Sequence, residues 1–152
     1  GRRVLYSTLK NKFSKKYHLN EDTSCFHRYR SVSDSEMNHL YSDMALSLNL
    51  TELRDTYCLN TPIHKIHLRA FEIPMAGGLQ FASYTDELAS YFEEDKEIVM
   101  YKSEEEMVDK ADFYLNRCSD NTLKKMKVAA RKRAESCHTW NTRFTEVLKA
   151  LK

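Results

Sequence analysis

The sequence predicts an α/β fold, a parallel sheet with helices packed on it and a helical C-terminal segment over residues 103–152. Strand-type and helix-type patterns alternate along the chain up to residue 102, which is how parallel strands joined by helical crossovers read. Beyond that point three apolar stripes at helical spacing follow one another with no strand between them. With 152 residues, 41% of them hydrophobic, the chain has material for one core, and residues 1–152 read as a single domain.

The elements follow in order. Arg3–Thr8 (RVLYST) is a short β-type run, residues 10–24 are a polar, basic loop or frayed helix, and His27–Ser31 is a short extended piece. Ser33-Asp34-Ser35-Glu36 is a capping box, because the Ser oxygen and the Glu carboxylate can each satisfy an orphan backbone N–H. Met37, Leu40, Tyr41 and Met44 then recur at helical spacing, and Ala45–Leu50 alternates as a strand. A loop from Thr51 to Pro62 leads to a helix over roughly His64–Ala76, closed by Gly77-Gly78, where glycine takes the positive φ of a helix C-cap.

Leu79–Ser83 reads as a strand, Thr85–Tyr91 as a short helix, and Glu97–Tyr101 as the clearest strand, with Ser103-Glu104-Glu105-Glu106 capping the next helix. The C-terminal stripes are Met107, Val108, Ala111, Tyr114 and Leu115, then Leu123, Met126, Ala130, Ala134 and Cys137, then Trp140, Phe144, Val147, Leu148 and Leu151. Each is an apolar face that must pack on something. The aromatics of the last stripe are accordingly assigned to the core, and a fully buried Trp140 is worth roughly 3–5 kcal/mol against alanine.

Composition excludes several functions. Net charge is +2, with Lys+Arg 24 against Asp+Glu 22, which makes no case for a dedicated nucleic-acid binder. No apolar run approaches the roughly 18 residues of a membrane span, and no signal-peptide stretch opens the chain, so a cytoplasmic location is expected. The sequon Asn49-Leu50-Thr51 then has no role. Four scattered cysteines, Cys25, Cys58, Cys118 and Cys137, read as reduced thiols, and neither they nor the pair His64 and His67 make a metal site. No metal or cofactor is expected, and no G-x-S-x-G, Walker loop or G-x-G-x-x-G occurs.

Charge is nonetheless segregated. Residues 124–133 carry six basic residues and no acid, residues 86–109 carry ten acids, and Arg2–Lys16 carries six Lys/Arg. Solvated helix faces and a solubilising loop account for these, with partner or phosphate binding as the rival reading.

The stretch richest in chemistry is residues 67–81, where Glu72 lies on a mainly apolar helix that ends in two glycines beside a strand. Such a carboxylate either pairs with a neighbour such as Arg69 at i−3 or accepts hydrogen bonds from a ligand. A vicinal diol, as in a nucleotide ribose, matches best, because two parallel hydroxyls can bond one carboxylate. Spacing alone leaves both readings open.

Arg69-x-Phe71-Glu72 followed by a Gly pair, Thr85-x-Glu87-Leu88, Lys96-Glu97-Ile98-Val99, Ser103-x-Glu105-Glu106-Met107, Tyr114-Leu115, and His138-Thr139-Trp140 followed by Arg143 together resemble the C-terminal part of GT-B-type glycosyltransferases. The likeness covers about residues 36–151 and is strongest to the bacterial group that includes the spore maturation protein glycosyltransferase-like proteins. It implies a Rossmann-like three-layer lobe that holds a nucleotide diphosphate sugar without a metal, consistent with the absence of a D-x-D motif.

By that resemblance Glu72 binds the donor ribose, Arg69 is its local partner, and Gly77 and Gly78 lie near the sugar and phosphates. A helix N-terminus near His64-Lys65 helps hold the diphosphate. His64 stands where broader retaining families have a second glutamate, a departure from their pattern. The resemblance further implies that the N-terminal lobe of the enzyme, and the first strand and helix of this lobe, lie ahead of Gly1. No catalytic residue is assigned. The rival functional readings are a non-enzymatic α/β protein-interaction module and, more distantly, a nucleic-acid binder using residues 2–16 and 124–133.

Overall fold

The computed structural model describes residues 32–53, 56, 59 and 61–151. The predicted run Arg3–Thr8, the basic loop, the extended piece at His27–Ser31, Cys25 and Cys58 lie outside them. The elements are α1 (Asp34–Asp43), β1 (Ser47–Asn49), α2 (Arg69–Met75), β2 (Gln80–Ser83), α3 (Asp86–Tyr91), β3 (Val99–Tyr101), α4 (Glu104–Asp112) continued by a π-helical turn (Phe113–Arg117), α5 (Asp120–Cys137) and α6 (Trp140–Ala150).

The three strands form one parallel sheet in the order β1-β2-β3, with Leu48 beside Phe81 beside Val99, and Asn49 beside Ala82 beside Met100. Successive side chains on a strand point to opposite faces, and each face has its own core. Phe81, Val99 and Tyr101 pack with Met107, Ala111 and Tyr114, and with Leu123 and Met126 of α5. Ala82, Ile98 and Met100 pack with Ala70 of α2, with Leu88 and Phe92 at α3, and with Ala134 of α5. Both faces are therefore covered, and the sheet is the middle of three layers. This is the α/β, Rossmann-like arrangement expected of the sequence, with its helical C-terminal segment.

Local chemistry sets the element ends. Ser33 and Glu36 form the capping box of α1, the Ser33 Oγ accepting from the Glu36 N–H and the Ser33 N–H donating to Glu36 Oε2 at 2.8 Å. Thr85, Ser103, Ser119 and Thr139 cap α3, α4, α5 and α6 by the same kind of side-chain bond to the third residue on. α2 ends in a Schellman turn: Gly78 N–H donates to Ile73 C=O and Gly77 N–H to Pro74 C=O, both at 2.9 Å, with Gly77 at φ +81°.

Three expectations need correction. The helix predicted from His64 starts at Arg69. Residues 63–65 are extended because their backbone bonds to Thr51–Leu53, with Leu53 N–H donating to Ile63 C=O and Lys65 N–H to Thr51 C=O, each at 2.8 Å. No helix N-terminus therefore stands at His64-Lys65. Leu115, placed on the first C-terminal stripe, is exposed, whereas Met107, Val108, Ala111 and Tyr114 are buried. The last stripe is exposed throughout: Trp140 keeps 62% of its surface and stacks on Phe144 at 5.8 Å, over the outside of the molecule.

The cost of truncating a buried tryptophan does not apply to such a residue. Trp140→Ala is expected to shift stability by no more than about 0.5 kcal/mol, as at other surface positions, which a urea melt of the variant beside the parent checks.

The segregated charges are partly spent inside the molecule. Lys127 Nζ donates to the carbonyls of Ser42 and Met44, each at 2.8 Å, and so ties off the end of α1. Arg131 pairs with Glu135 at 2.7 Å and Arg133 with Glu97 at 3.0 Å, while Lys110 bridges Glu94 at 2.8 Å and Glu106 at 3.1 Å.

Candidate functional site

In an open parallel sheet, ligands gather outside the carboxyl ends of the strands, where the chain leaves a strand for a helix. A cleft of about 380 Å³ lies there, lined by Asn49 and Leu50 at the end of β1 and by His67, Leu68, Arg69 and Glu72 where α2 begins. A second cleft of about 330 Å³ adjoins it, sharing His67 and Leu68 and walled by Lys65, Ile66, Phe71, Glu87, Tyr91 and Arg143. Segment 65–68 lines the second cleft, and its His67 and Leu68 line the first as well. That segment is positioned by the Lys65 bond to Thr51 and by the bond, 2.9 Å long, between the Thr51 hydroxyl and His64 Nδ1.

Glu72 is exposed in the first cleft, and among the described residues no hydrogen bond or ion pair reaches its carboxylate. Arg69 lines the same cleft but is not paired with it there, so the sequence-level choice between an i−3 ion pair and a ligand-facing carboxylate does not fall to the ion pair. The helix that carries both is only seven residues long and has no side-chain N-cap.

The other predicted residues are dispersed. Lys65 is exposed on the wall of the second cleft. His64 lines neither cleft and is half-buried against Thr51, opposite Glu52 in an antiparallel bridge. Gly77 and Gly78 line neither: they turn the chain from α2 into β2, and Gly78 is buried where an added Cβ would meet the Tyr41 carbonyl and Ile73.

Two residues to which the sequence analysis gave no role in a site also line the clefts. Asn49 is 3% exposed, and its Nδ2 has no hydrogen-bond partner among the described residues. A buried amide donor without an acceptor costs about 1–3 kcal/mol, so its presence at the floor of a cleft demands a reason. No sequence signal marks it: the alternation of Ala45–Leu50 would put the leucines toward the core, whereas the fold buries Ser47 and Asn49 and leaves Leu48 44% exposed. That burial also removes the Asn49 sequon from the surface. Ser47 Oγ and the Gln80 amide, side by side in the register, are buried without partners among the described residues as well.

The second is Arg143 of α6. Its guanidinium lies over the Phe71 ring at 4.2 Å and 5.7 Å from the centre of Tyr91, within the range of cation–π attraction. Behind it, His138 packs among Phe71, Tyr91 and Phe92 at 5.0–5.3 Å, and burial lowers its pKa from the ordinary value. The Tyr91 hydroxyl donates to Glu87 Oε1 at 3.2 Å. Burial and that carboxylate raise the tyrosine's pKa, so it stays a donor.

Among the described residues no group of three or more His, Cys, Asp or Glu side chains is arranged to hold a metal ion, and no helix is long and apolar enough to cross a membrane. The chemistry offered is that of recognition: a carboxylate, an amide donor and cations, all without partners among the described residues, in two adjoining clefts beside a parallel sheet.

A family model described as glycosyl transferase-like matches residues 7–149, nearly the whole chain. No curated protein and no solved structure matches it.

Proposed function

We propose that this chain, which belongs to the glycosyl transferase-like family, is the donor-binding lobe of a GT-B glycosyltransferase and holds a nucleotide diphosphate sugar in the cleft at the end of β1. The observation that carries the reading is the pairing, on the same cleft, of an exposed carboxylate at Glu72 with a buried amide donor at Asn49, neither of which has a partner among the described residues. The carboxylate accepts the two hydroxyls of the ribose, and the amide donates to a ligand oxygen. Arg69 supplies positive charge at the rim. Gly77 and Gly78 act at a distance, through the backbone turn that sets α2 against β2.

The resemblance in the motifs supports the finer assignment to the bacterial spore maturation protein-like group, and a cytoplasmic location belongs to the same proposal. The exposed stripe of Trp140, Phe144, Val147, Leu148 and Leu151 supports a partner lobe, because an apolar face of that extent is ordinarily covered. The same stripe also favours the second reading, an α/β module that binds a partner protein and turns over no sugar.

A thermal-shift screen with UDP-, GDP-, ADP- and dTDP-sugars separates the two. The donor-lobe reading requires one nucleotide series to raise the melting temperature in a concentration-dependent way, and a flat response to all four series removes it. Asn49→Ala gives a sharper result. It is expected to weaken binding of the active nucleotide sugar about tenfold, the worth of one hydrogen bond. It should leave the melting temperature of the unliganded protein unchanged or higher, since the variant no longer buries an unpaired donor. A fall in stability with unchanged affinity would place Asn49 in the fabric of the sheet.

A further inference from the structure

The second cleft is lined by Arg143, which among the described residues has no ion-pair partner. The Arg143 guanidinium lies over the Phe71 ring, and among the described residues no hydrogen bond or ion pair engages its N–H donors. Among the described residues the guanidinium meets no carboxylate within 4.0 Å and no hydrogen-bond acceptor. Lys65, whose side chain is likewise unpaired among the described residues, stands on the same cleft, and His67 lies between the two clefts. The cleft's carboxylate, Glu87, accepts the Tyr91 hydroxyl.

A guanidinium held over an aromatic ring, on the wall of a cavity and unpaired among the described residues, can form a bidentate pair with an oxyanion. Because segment 67–68 belongs to both clefts, a ligand whose diol meets Glu72 can extend an anionic group to Arg143.

We propose that Arg143, with Lys65, forms a phosphoryl-binding subsite in the cleft beside Glu72. The proposal rests on the reading of Glu72 as the diol acceptor and adds the residue that grips the charged part of the ligand. Two compounds can bring that group, the diphosphate of the donor or a phosphate carried by the acceptor. The competing account makes Arg143 a strut that pins α6 to α2 and α3 and touches no ligand.

The test is calorimetric titration of the parent chain, Arg143→Lys, Arg143→Met, Lys65→Met and Glu72→Gln. The probes are a nucleoside, its diphosphate, inorganic pyrophosphate and glycerol 3-phosphate, with the base chosen by the sugar-nucleotide screen. Arg143→Met is expected to weaken the diphosphate by about tenfold or more, as loss of a charge-assisted bond does, and to leave the nucleoside unchanged. Arg143→Lys, which keeps the charge and loses the fork, should fall between.

Pyrophosphate binding that Arg143→Met abolishes supports the subsite even if no nucleoside binds, and so stands apart from the fate of the donor reading. Glycerol 3-phosphate binding that depends on Arg143, with the diphosphate unaffected, assigns the group to the acceptor. Equal losses for nucleoside and diphosphate, or no Arg143-dependent binding of any phosphate compound, overturn the subsite and leave Arg143 a strut. Weakening of the nucleoside by Glu72→Gln in that same series would keep the donor reading alive. If Arg143→Met does not fold, exposed Lys65 carries the test: Lys65→Met must weaken the diphosphate relative to the nucleoside, and an unchanged ratio overturns the proposal.

Discussion

Glu72→Ala is expected to cost on the order of 1.5–3 kcal/mol of nucleotide-sugar binding, the usual worth of hydrogen bonds to a charged group, or roughly ten- to more than a hundredfold in affinity. The fold should survive. The side chain is exposed, α2 buries Ala70, Ile73 and Pro74 instead, and among the described residues nothing is bonded to the carboxylate that its removal would orphan. Alanine is also a good helix former, so the backbone gives no reason for loss. Titration of the variant with the nucleotide sugar, alongside a thermal melt without ligand, checks both halves. A lowered melting temperature with unaltered affinity in the folded fraction would make Glu72 a structural residue and remove the donor-site assignment.

The parts of this architecture that could be read from the sequence are those fixed by local chemistry. Ser33 with Glu36, Thr85, Ser103 and the Gly77-Gly78 pair each settle a helix end through bonds to backbone groups within a few residues, and all act where the pattern placed them. The buried stripes of α4 and α5 were legible for a similar reason, since a 3.6-residue period is a property of one segment.

What failed depended on partners distant in sequence. Residues 63–65 carry helix-compatible side chains, yet their backbone is claimed by Thr51–Leu53, a pairing that no local pattern announces. The stripe of α6 looks like that of α5, but nothing among the described residues covers it, so identical periodicity gave opposite burial.

The site was half legible. Glu72 stood out because a carboxylate on an apolar helix is anomalous by itself. Asn49 and Arg143 become meaningful only once the sheet register puts one at the end of β1 and the fold lays the other on Phe71.

Gly78→Ala is expected to be clearly destabilising, although alanine is favoured over glycine in most settings. A Cβ built on Gly78 would stand 2.8 Å from the Tyr41 carbonyl oxygen, 3.0 Å from Ile73 Cγ2 and 3.1 Å from the Ile73 carbonyl oxygen. Two of those three atoms are backbone and cannot swing aside. Relief requires α1 to shift away from α2 or the Schellman bond from Gly78 to Ile73 to open, and overpacking of this kind costs about 1–3 kcal/mol.

Gly77→Ala provides the control, because the two glycines are needed for different reasons. A Cβ at Gly77 meets nothing within 4 Å, and only its φ of +81° resists substitution, which costs about 1 kcal/mol for a left-handed residue at a helix end. Denaturant unfolding should therefore rank Gly78→Ala below Gly77→Ala in stability, with Gly78→Val lower still. The reverse order would mean that the close approach of α1 to the end of α2 relaxes at little cost. In that case the glycine at 78 is dispensable, and the backbone turn that seats α2, and with it Glu72, depends on residue 77 alone.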